Sequence, residues 1–304
     1  MGKKPAAIFS LIIILAFMGY MIFDASRGTV TVSDTEVRAG QNYEADWDIE
    51  RTWSAPAGSL TSVAVAQDGK IFLGGGSYVS ALSKDLNGLW SVETEEKINA
   101  LAVSGDTVFA ASHEIIYLIS PSGTLVDEWG PYEADCMITS VSASPGHVVF
   151  ADAGNKRIFV LNKGGQVISM MGQSEERFII PSPYFDVAVS GNLVFAANTG
   201  YRRIETWSID GRKISGFGEP GTAPGAFCGC CNPVHFAVVP QGFLTAEKGI
   251  NRIKILDRDG EFTEFVSVNN DFNQSVPLDV ASADGVTIYA ANSFDNKLYI
   301  FRRK

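Results

Sequence analysis

Short apolar runs recur along most of the chain, and each has the length and residue types of a β-strand. Each copy of the pattern has an apolar anchor, a second β-rich run such as residues 148–151, and a third such as Arg157–Leu161. A glycine next to Asn, Asp, Ser or Gly then supplies the positive φ that a tight hairpin needs. The six anchors are Val63, Leu101, Val141, Val187, Phe236 and Val280.

The pattern predicts six antiparallel sheets. The anchors lie roughly 40–50 residues apart, which is the repeat length of a β-propeller blade. No stretch after residue 46 has a sustained helical period of apolar residues, so we expect an all-β, six-bladed propeller of four-stranded blades. The last copy ends at Phe301 after three strands. Residues 49–54 are predicted to supply its fourth strand, because Trp53 matches Trp90 and Trp129 in the fourth strands of earlier copies.

The repeat resembles the NHL family. Residues 153–160 and 247–255 look like its signature, a turn followed by Asn-x-Arg-Ile-x-Val, and residues 221–227 with Pro233 look like its loop into the next blade. The resemblance covers roughly residues 48–304 and implies a six-bladed propeller. It implies little about function, because such folds serve as binding scaffolds, lyases and esterase-like enzymes. The cysteines between Phe227 and Pro233 depart from the ordinary repeat.

The N-terminal segment predicts a membrane anchor. Lys3 and Lys4 precede an uncharged run from Pro5 to Phe23, about the 17–25 residues that span a bilayer as a helix. A cleaved signal peptide is the alternative, although the run lacks a clear cleavage site. We therefore predict a signal-anchor helix over residues 1–23, a linker over 24–46 and a propeller over 47–304 on the extracytoplasmic side of the membrane.

Charge bears on the choice of partners. The chain has a net charge of −10, and residues 1–23 contain two lysines and no acid, so the remainder carries −12. Nucleic acid and anionic lipid both need a basic surface, so we expect neither as a partner of the body.

Three of the four cysteines lie close together. Residues 227–236 read FCGCCNPVHF and contain Cys228, Cys230, Cys231 and His235. They fall in one of three long predicted loops, 173–184, 219–232 and 269–276, which a propeller places on one face. Cys136 and Cys231 each lie five residues before an anchor, so we predict that all four cysteines meet near the central axis.

The cysteines allow three interpretations. The first is a thiolate site for a soft metal or an iron–sulfur cluster, with Cys136, Cys228, Cys230 and Cys231 as ligands and His235 as a further or supporting group. The second is a pair of structural disulfides, which suits an oxidising compartment and an even number of cysteines. The third is a redox-active dithiol.

The residue before each anchor forms a second candidate site. These residues are predicted to line the mouth of the central tunnel, and they are Ser62, Ala100, Ser140, Asp186, His235 and Asp279. They either cap backbone groups and bind water, or hold a cation with Asp186, His235 and Asp279 as an alternative metal set.

Three functions follow from these features. The first is a non-enzymatic, membrane-anchored propeller that binds a protein partner on its loop face and carries a Cys-rich metal or redox site, within an electron-transfer or metal-handling assembly. The second is a metal-dependent lyase or hydrolase using Asp186, His235 and Asp279. The third is an interaction scaffold whose cysteines form disulfides.

Overall fold

The computed structural model describes residues 14–18, 43–56, 60–173, 176–229, 231–268 and 271–304 of the 304-residue chain. The chain divides into two compact units, Met1–Tyr43 and Glu44–Lys304. Residues 14–18 are helical, and within the described ranges no helix has the length and apolar character needed to cross a membrane. The rest of the predicted anchor, residues 1–23, and most of the predicted linker, residues 24–46, lie outside the described residues.

The second unit is a six-bladed β-propeller, as predicted, and each blade is a four-stranded antiparallel sheet. Blade 1 is β2 (Ser62–Val65), β3 (Ile71–Gly75), β4 (Tyr78–Leu82) and β5 (Gly88–Glu93). Blade 2 is β6 (Ala100–Ser104), β7 (Thr107–Ala111), β8 (Ile116–Ile119) and β9 (Leu125–Trp129). Blade 3 is β10 (Ile138–Ala143), β11 (Val148–Asp152), β12 (Arg157–Leu161) and β13 (Val167–Met171).

The remaining strands follow the same order. Blade 4 is β14 (Val187–Ser190), β15 (Leu193–Asn198), β16 (Arg203–Ser208) and β17 (Lys213–Phe217). Blade 5 is β18 (His235–Val239), β19 (Gly242–Glu247), β20 (Arg252–Leu256) and β21 (Phe262–Ser267). Blade 6 is β22 (Leu278–Ala281), β23 (Thr287–Asn292), β24 (Lys297–Arg303) and, from the other end of the unit, β1 (Trp47–Ser54).

The ring closes through β1, as the sequence predicts. This strand pairs antiparallel with β24, from Trp47 opposite Arg303 to Ser54 opposite Lys297. Trp47 is buried in the cluster between blades 5 and 6. Residues that precede all other blades in sequence therefore supply the missing edge of the last one.

The predicted hairpin glycines carry contacts between blades. Gly123 has φ +82°, and a Cβ there would lie 2.7 Å from the Trp90 ring of the preceding blade. Likewise, a Cβ at Gly165 would lie 2.6 Å from the Trp129 ring of the preceding blade. Only glycine fits such a position, because the backbone is left-handed and the ring occupies the space of a side chain. In blade 1, the sequence predicts that Gly88 supplies the positive φ of the turn between β4 and β5. This prediction is wrong, because Leu86 has the positive φ instead.

The two faces of the ring differ. The loop face carries the connections from each fourth strand to the next inner strand, and Ser54 ends there. The hairpin face carries turn glycines such as Gly165, and Trp47 and Arg303 lie at that end of blade 6. The chain of the second unit therefore enters on the hairpin face, opposite the loops that hold the cysteines.

Candidate functional site

The inner strands of all six blades surround a central cavity of about 310 Å³. The residue after each anchor is small, which leaves room where the strands converge: Ala64, Ala102, Ser142, Ala188, Ala237 and Ala281. Asp186, His235 and Asp279 line this cavity together with Ser140. Ser62, also predicted there, is buried.

The two carboxylates tie neighbouring blades together. Asp186 Oδ2 in blade 4 accepts a hydrogen bond from the backbone N–H of Phe236 in blade 5, at 2.6 Å. Asp279 Oδ2 in blade 6 accepts one from Val63 in blade 1, at 2.8 Å. Ser140 Oγ in blade 3 donates to Asp186 Oδ1. The capping role considered from sequence is therefore present at Asp186 and Asp279.

His235 lies between the two carboxylates. Its Nδ1 is 3.6 Å from Asp186 Oδ2 and 3.6 Å from Asp279 Oδ1, so three consecutive blades contribute to one cluster. Burial lowers the pKa of His235, but its interaction with the Asp186 side chain and the charges of both aspartates outweigh this and raise the pKa overall. Burial raises the pKa of Asp279 to about 6, opposed by His235 and reinforced by Asp186.

A second cavity of about 310 Å³, here called the mouth pocket, opens on the loop face. Every blade contributes to it: Thr61 from blade 1, Asn99 and His113 from blade 2, Met137 from blade 3, Tyr184 from blade 4, His235 from blade 5, and Pro277 and Ser293 from blade 6. His235, Asn99 and Thr139 line both cavities. His235 therefore lies where the mouth pocket and the central cavity meet, beside the two carboxylates.

Sequence reasoning missed three hydrogen bonds that join blades 1 to 4 beside the mouth pocket. Thr61 Oγ1 donates to Ile98 O at 2.7 Å, Asn99 Nδ2 to Ile138 O at 3.4 Å, and Thr139 Oγ1 to Phe185 O at 2.6 Å. Each donor lies two residues before an anchor, and each acceptor lies in the next blade. The recurrence of Thr or Asn at this offset in blades 1 to 3 is the signal that could have identified these bonds.

The alternative metal set of Asp186, His235 and Asp279 stays a prediction. Within the described ranges, no three side chains of His, Cys, Asp or Glu are grouped so that they could hold a metal ion. Asp186, His235 and Asp279 instead form a cluster at ion-pair distances, with backbone donors on both carboxylates.

Cys136 lies in the hydrophobic cluster between blades 2 and 3, with Ile138, Phe150 and Phe159. Burial, reinforced by the charge of Asp152 beside it, raises the pKa of the Cys136 thiol to about 12. A thiol in such surroundings is held in its protonated, unreactive form.

Cys228 and Cys231 lie in the loop of blade 5 and are also buried. Cys228 Sγ is 3.7 Å from Lys248 O, and burial together with the charge of Glu247 raises its pKa. Cys231 Sγ is 3.1 Å from Ser182 Oγ of the preceding loop. No disulfide joins Cys136, Cys228 and Cys231 to one another, and Cys230 lies outside the described residues.

Backbone hydrogen bonds correct the equivalence of Cys136 and Cys231. The N–H of Met137 donates to Asp152, that of Ile179 to Asn198, and that of Cys228 to Glu247, and each acceptor ends the second strand of its blade. The residues before these donors, Cys136, Phe178 and Phe227, are therefore equivalent. Counting back from the anchors misaligned them, because the loops of blades 4 and 5 are longer by four residues.

A buried ion network fixes the loop between β17 and β18 that contains Cys228 and Cys231, here called the cysteine loop. Glu247 Oε1 is 2.5 Å from Arg252 Nε and 3.1 Å from Lys254 Nζ, and all three side chains are buried. Arg252 and Lys254 also donate to Ala226 O, at 2.5 and 2.7 Å. Burial lowers the pKa of Lys254 to about 8. Removing one partner from such a network costs about 3–5 kcal/mol, so these residues hold the loop in place.

Comparison of the sequence with protein-family models and with curated proteins finds no match. The fold itself defines the class: this is a six-bladed β-propeller with four-stranded antiparallel blades. Membership of the NHL family stays a prediction from the motifs.

Proposed function

We propose that this protein is a binding module that takes a protein partner on its loop face. The observation that carries the proposal is the mouth pocket, to which all six blades contribute, on the face opposite the point where the chain enters. Long loops on a rigid scaffold are the usual place for recognition, and a pocket built from every blade is held by the whole ring.

The hydrogen bonding of the central carboxylates favours binding over catalysis. In a metal-dependent lyase or hydrolase, Asp186 and Asp279 would bind one metal together with His235, and their main partner would be that metal. Both are engaged by backbone N–H groups of the next blade, and Asp186 also accepts from Ser140. The described partners of these groups are thus those of structural caps around a binding cavity.

Membrane anchoring through residues 1–23 and an extracytoplasmic position of the body are part of the proposal. They rest on the apolar run after Lys3 and Lys4. The partner would then be a protein of the same membrane or of the extracytoplasmic space.

Two positions in blade 6 test the proposal. Phe294 lies in the turn between β23 and β24, at the loop face, and is 64% exposed. Val286 lies in the turn between β22 and β23, at the hairpin face, and is 54% exposed. A photo-cross-linking amino acid at position 294 of the full chain should give a discrete protein adduct in cells, and the same amino acid at position 286 should not. Equal adducts from both positions, or adducts from position 286 alone, would refute a loop-face partner.

A soft-metal or iron–sulfur site at the cysteines is a second candidate. It is favoured by the crowding of Cys228, Cys230 and Cys231 within four residues of one loop. The predicted ligands are Cys136, Cys228, Cys230 and Cys231, with His235 as a further or supporting group. Such a site would serve an electron-transfer or metal-handling assembly.

Metal content and the ultraviolet–visible spectrum of the purified full chain test this candidate. Cys230→Ser should abolish bound metal or charge-transfer bands, and Cys136→Ser should do the same if Cys136 is the fourth ligand. If Cys136→Ser retains the metal and Cys230→Ser loses it, the ligands are confined to residues 228–235. A metal-free wild-type chain whose thiols are all titratable would exclude the site.

A further inference from the structure

The central cavity contains two carboxylates and no basic partner other than an imidazole. In the described part of the chain, no lysine or arginine lies within ion-pair distance of Asp186 or Asp279, and none lines either cavity. His235 can supply at most one positive charge to the two aspartates. Because buried charges are normally paired, the cavity has an unmet demand for a cation.

Asp279 has more unused acceptor capacity than Asp186. The Asp279 carboxylate accepts backbone hydrogen bonds from Val63 and Val280, and its Oδ1 lies 3.6 Å from His235 Nδ1, beyond hydrogen-bonding distance. The Asp186 carboxylate accepts from two backbone N–H groups and from Ser140 Oγ. The acceptor capacity of the cluster therefore points to Asp279, whose side chain is 17% exposed.

The mouth pocket leads to this carboxylate past His235, which lines both cavities. Its wall includes apolar surfaces from Met137, Pro183, Tyr184 and Pro277, which suit the alkyl stem of a long side chain. A cavity of about 310 Å³ is large enough for one side chain and too small for a folded segment.

We infer that the mouth pocket binds a lysine or arginine side chain of the partner protein, with its cationic end at Asp279 and His235. The inference rests on the proposed loop-face function and specifies the chemistry of the partner there. A charge-assisted hydrogen bond to Asp279 Oδ1 would complete the pairing of the two carboxylates.

The probe is argininamide, with citrullinamide as a neutral analogue of nearly the same shape, titrated into the full chain in detergent by calorimetry. Argininamide should bind at least about tenfold more tightly than citrullinamide, since only the cation pairs with the carboxylate. Equal binding of the two probes, or binding of neither, would overturn the inference.

Asp279→Asn should remove the preference for argininamide while keeping an acceptor for Val63 N–H. The matched control is Asp135→Asn, an exposed loop-face residue with φ +57°, a conformation that asparagine also tolerates. An equal loss in Asp135→Asn would show general charge attraction and overturn the site.

Met137→Trp gives a second variant that leaves the charges intact. The larger ring should fill the mouth pocket and abolish argininamide binding, whereas Met170→Trp on the outer strand of the same blade should not. Unimpaired binding in Met137→Trp would place the cation elsewhere.

The two proposals fail in different ways. Adducts from position 294 without selective argininamide binding would leave the loop-face partner and overturn the cation pocket. Selective argininamide binding without such adducts would leave the cation pocket and overturn the loop-face protein partner.

Discussion

Asp186, His235 and Asp279 link protonation to the integrity of the ring. Each aspartate caps an inner strand of the following blade, and the imidazole lies between them. The raised pKa values of Asp279 and His235 mean that the folded protein holds protons that the unfolded chain releases. A state that holds more protons is favoured at lower pH, so this cluster stabilises the fold less as pH rises.

The pH dependence of unfolding should reveal this coupling. The contribution of Asp279 is lost as pH rises through about 6, and that of His235 as pH rises above its ordinary range. Between pH 5 and pH 8, we expect the free energy of unfolding to fall by about 1 kcal/mol more in wild type than in Asp279→Asn. Denaturant titrations at both pH values measure the difference.

Asp135→Asn serves again as the control, because it removes one carboxylate from the exposed loop face. Its stability should follow that of wild type across the same range. Parallel curves for wild type and Asp279→Asn would contradict the coupling.

At the scale of elements, β1 decides whether the ring is closed. It pairs along the whole of β24 and buries Trp47 between blades 5 and 6. The residue before it, Asp46, also donates its backbone N–H to Phe265 O of β21 and accepts a hydrogen bond from the N–H of Lys304. Without β1, blade 6 would expose an unpaired edge strand, a known route to aggregation.

A chain that begins at Ala55 should therefore be far less stable than one that begins at Gln41. Both lack the predicted anchor, so they differ only in the linker end and β1. We expect the melting temperature to fall by at least about 10 °C, since several kcal/mol of strand pairing and tryptophan burial are lost. Scanning calorimetry and light scattering measure both effects, and equal stability of the two chains would refute closure by β1.

At the scale of the whole molecule, the two faces have different roles. The first strand of the propeller begins at Trp47 on the hairpin face. The mouth pocket and the cysteine loop lie on the loop face. Within the unit Glu44–Lys304, the first strand therefore begins at the face opposite the mouth pocket.

Removing residues 1–23 should move the protein from the membrane fraction to the soluble fraction. The reason is that the remainder has a net charge of −12 and lacks the basic surface needed to hold anionic lipid. Cell fractionation with and without carbonate extraction measures this, and Lys3→Gln/Lys4→Gln, which keeps the apolar run, is the comparison. A full chain found in the soluble fraction, or a mature N-terminus near Ser26, would contradict an uncleaved anchor.

The repeat determined the fold from sequence alone. The strand runs, turn glycines and anchors of a blade lie within about 50 residues, so each blade is specified locally and recurs visibly. The incomplete last copy also indicated that residues 49–54 must return to it, and β1 does so. Of the residues before the anchors, Ala100, Ser140, Asp186, His235 and Asp279 line the central cavity and Ser62 does not, and the repeat itself fixes where each inner strand starts.

The alignment of the loops was decided by tertiary structure. Cys136 and Cys231 share an offset from their anchors, but the hydrogen bonds of Asp152 and Glu247 show that the residue equivalent to Cys136 in the loop before blade 5 is Phe227. Those bonds join a loop to the end of a strand many residues later, and loops of unequal length hide the match from any count along the chain. The sequence therefore determined which residues start each strand, whereas only packing determined which loop residues come together.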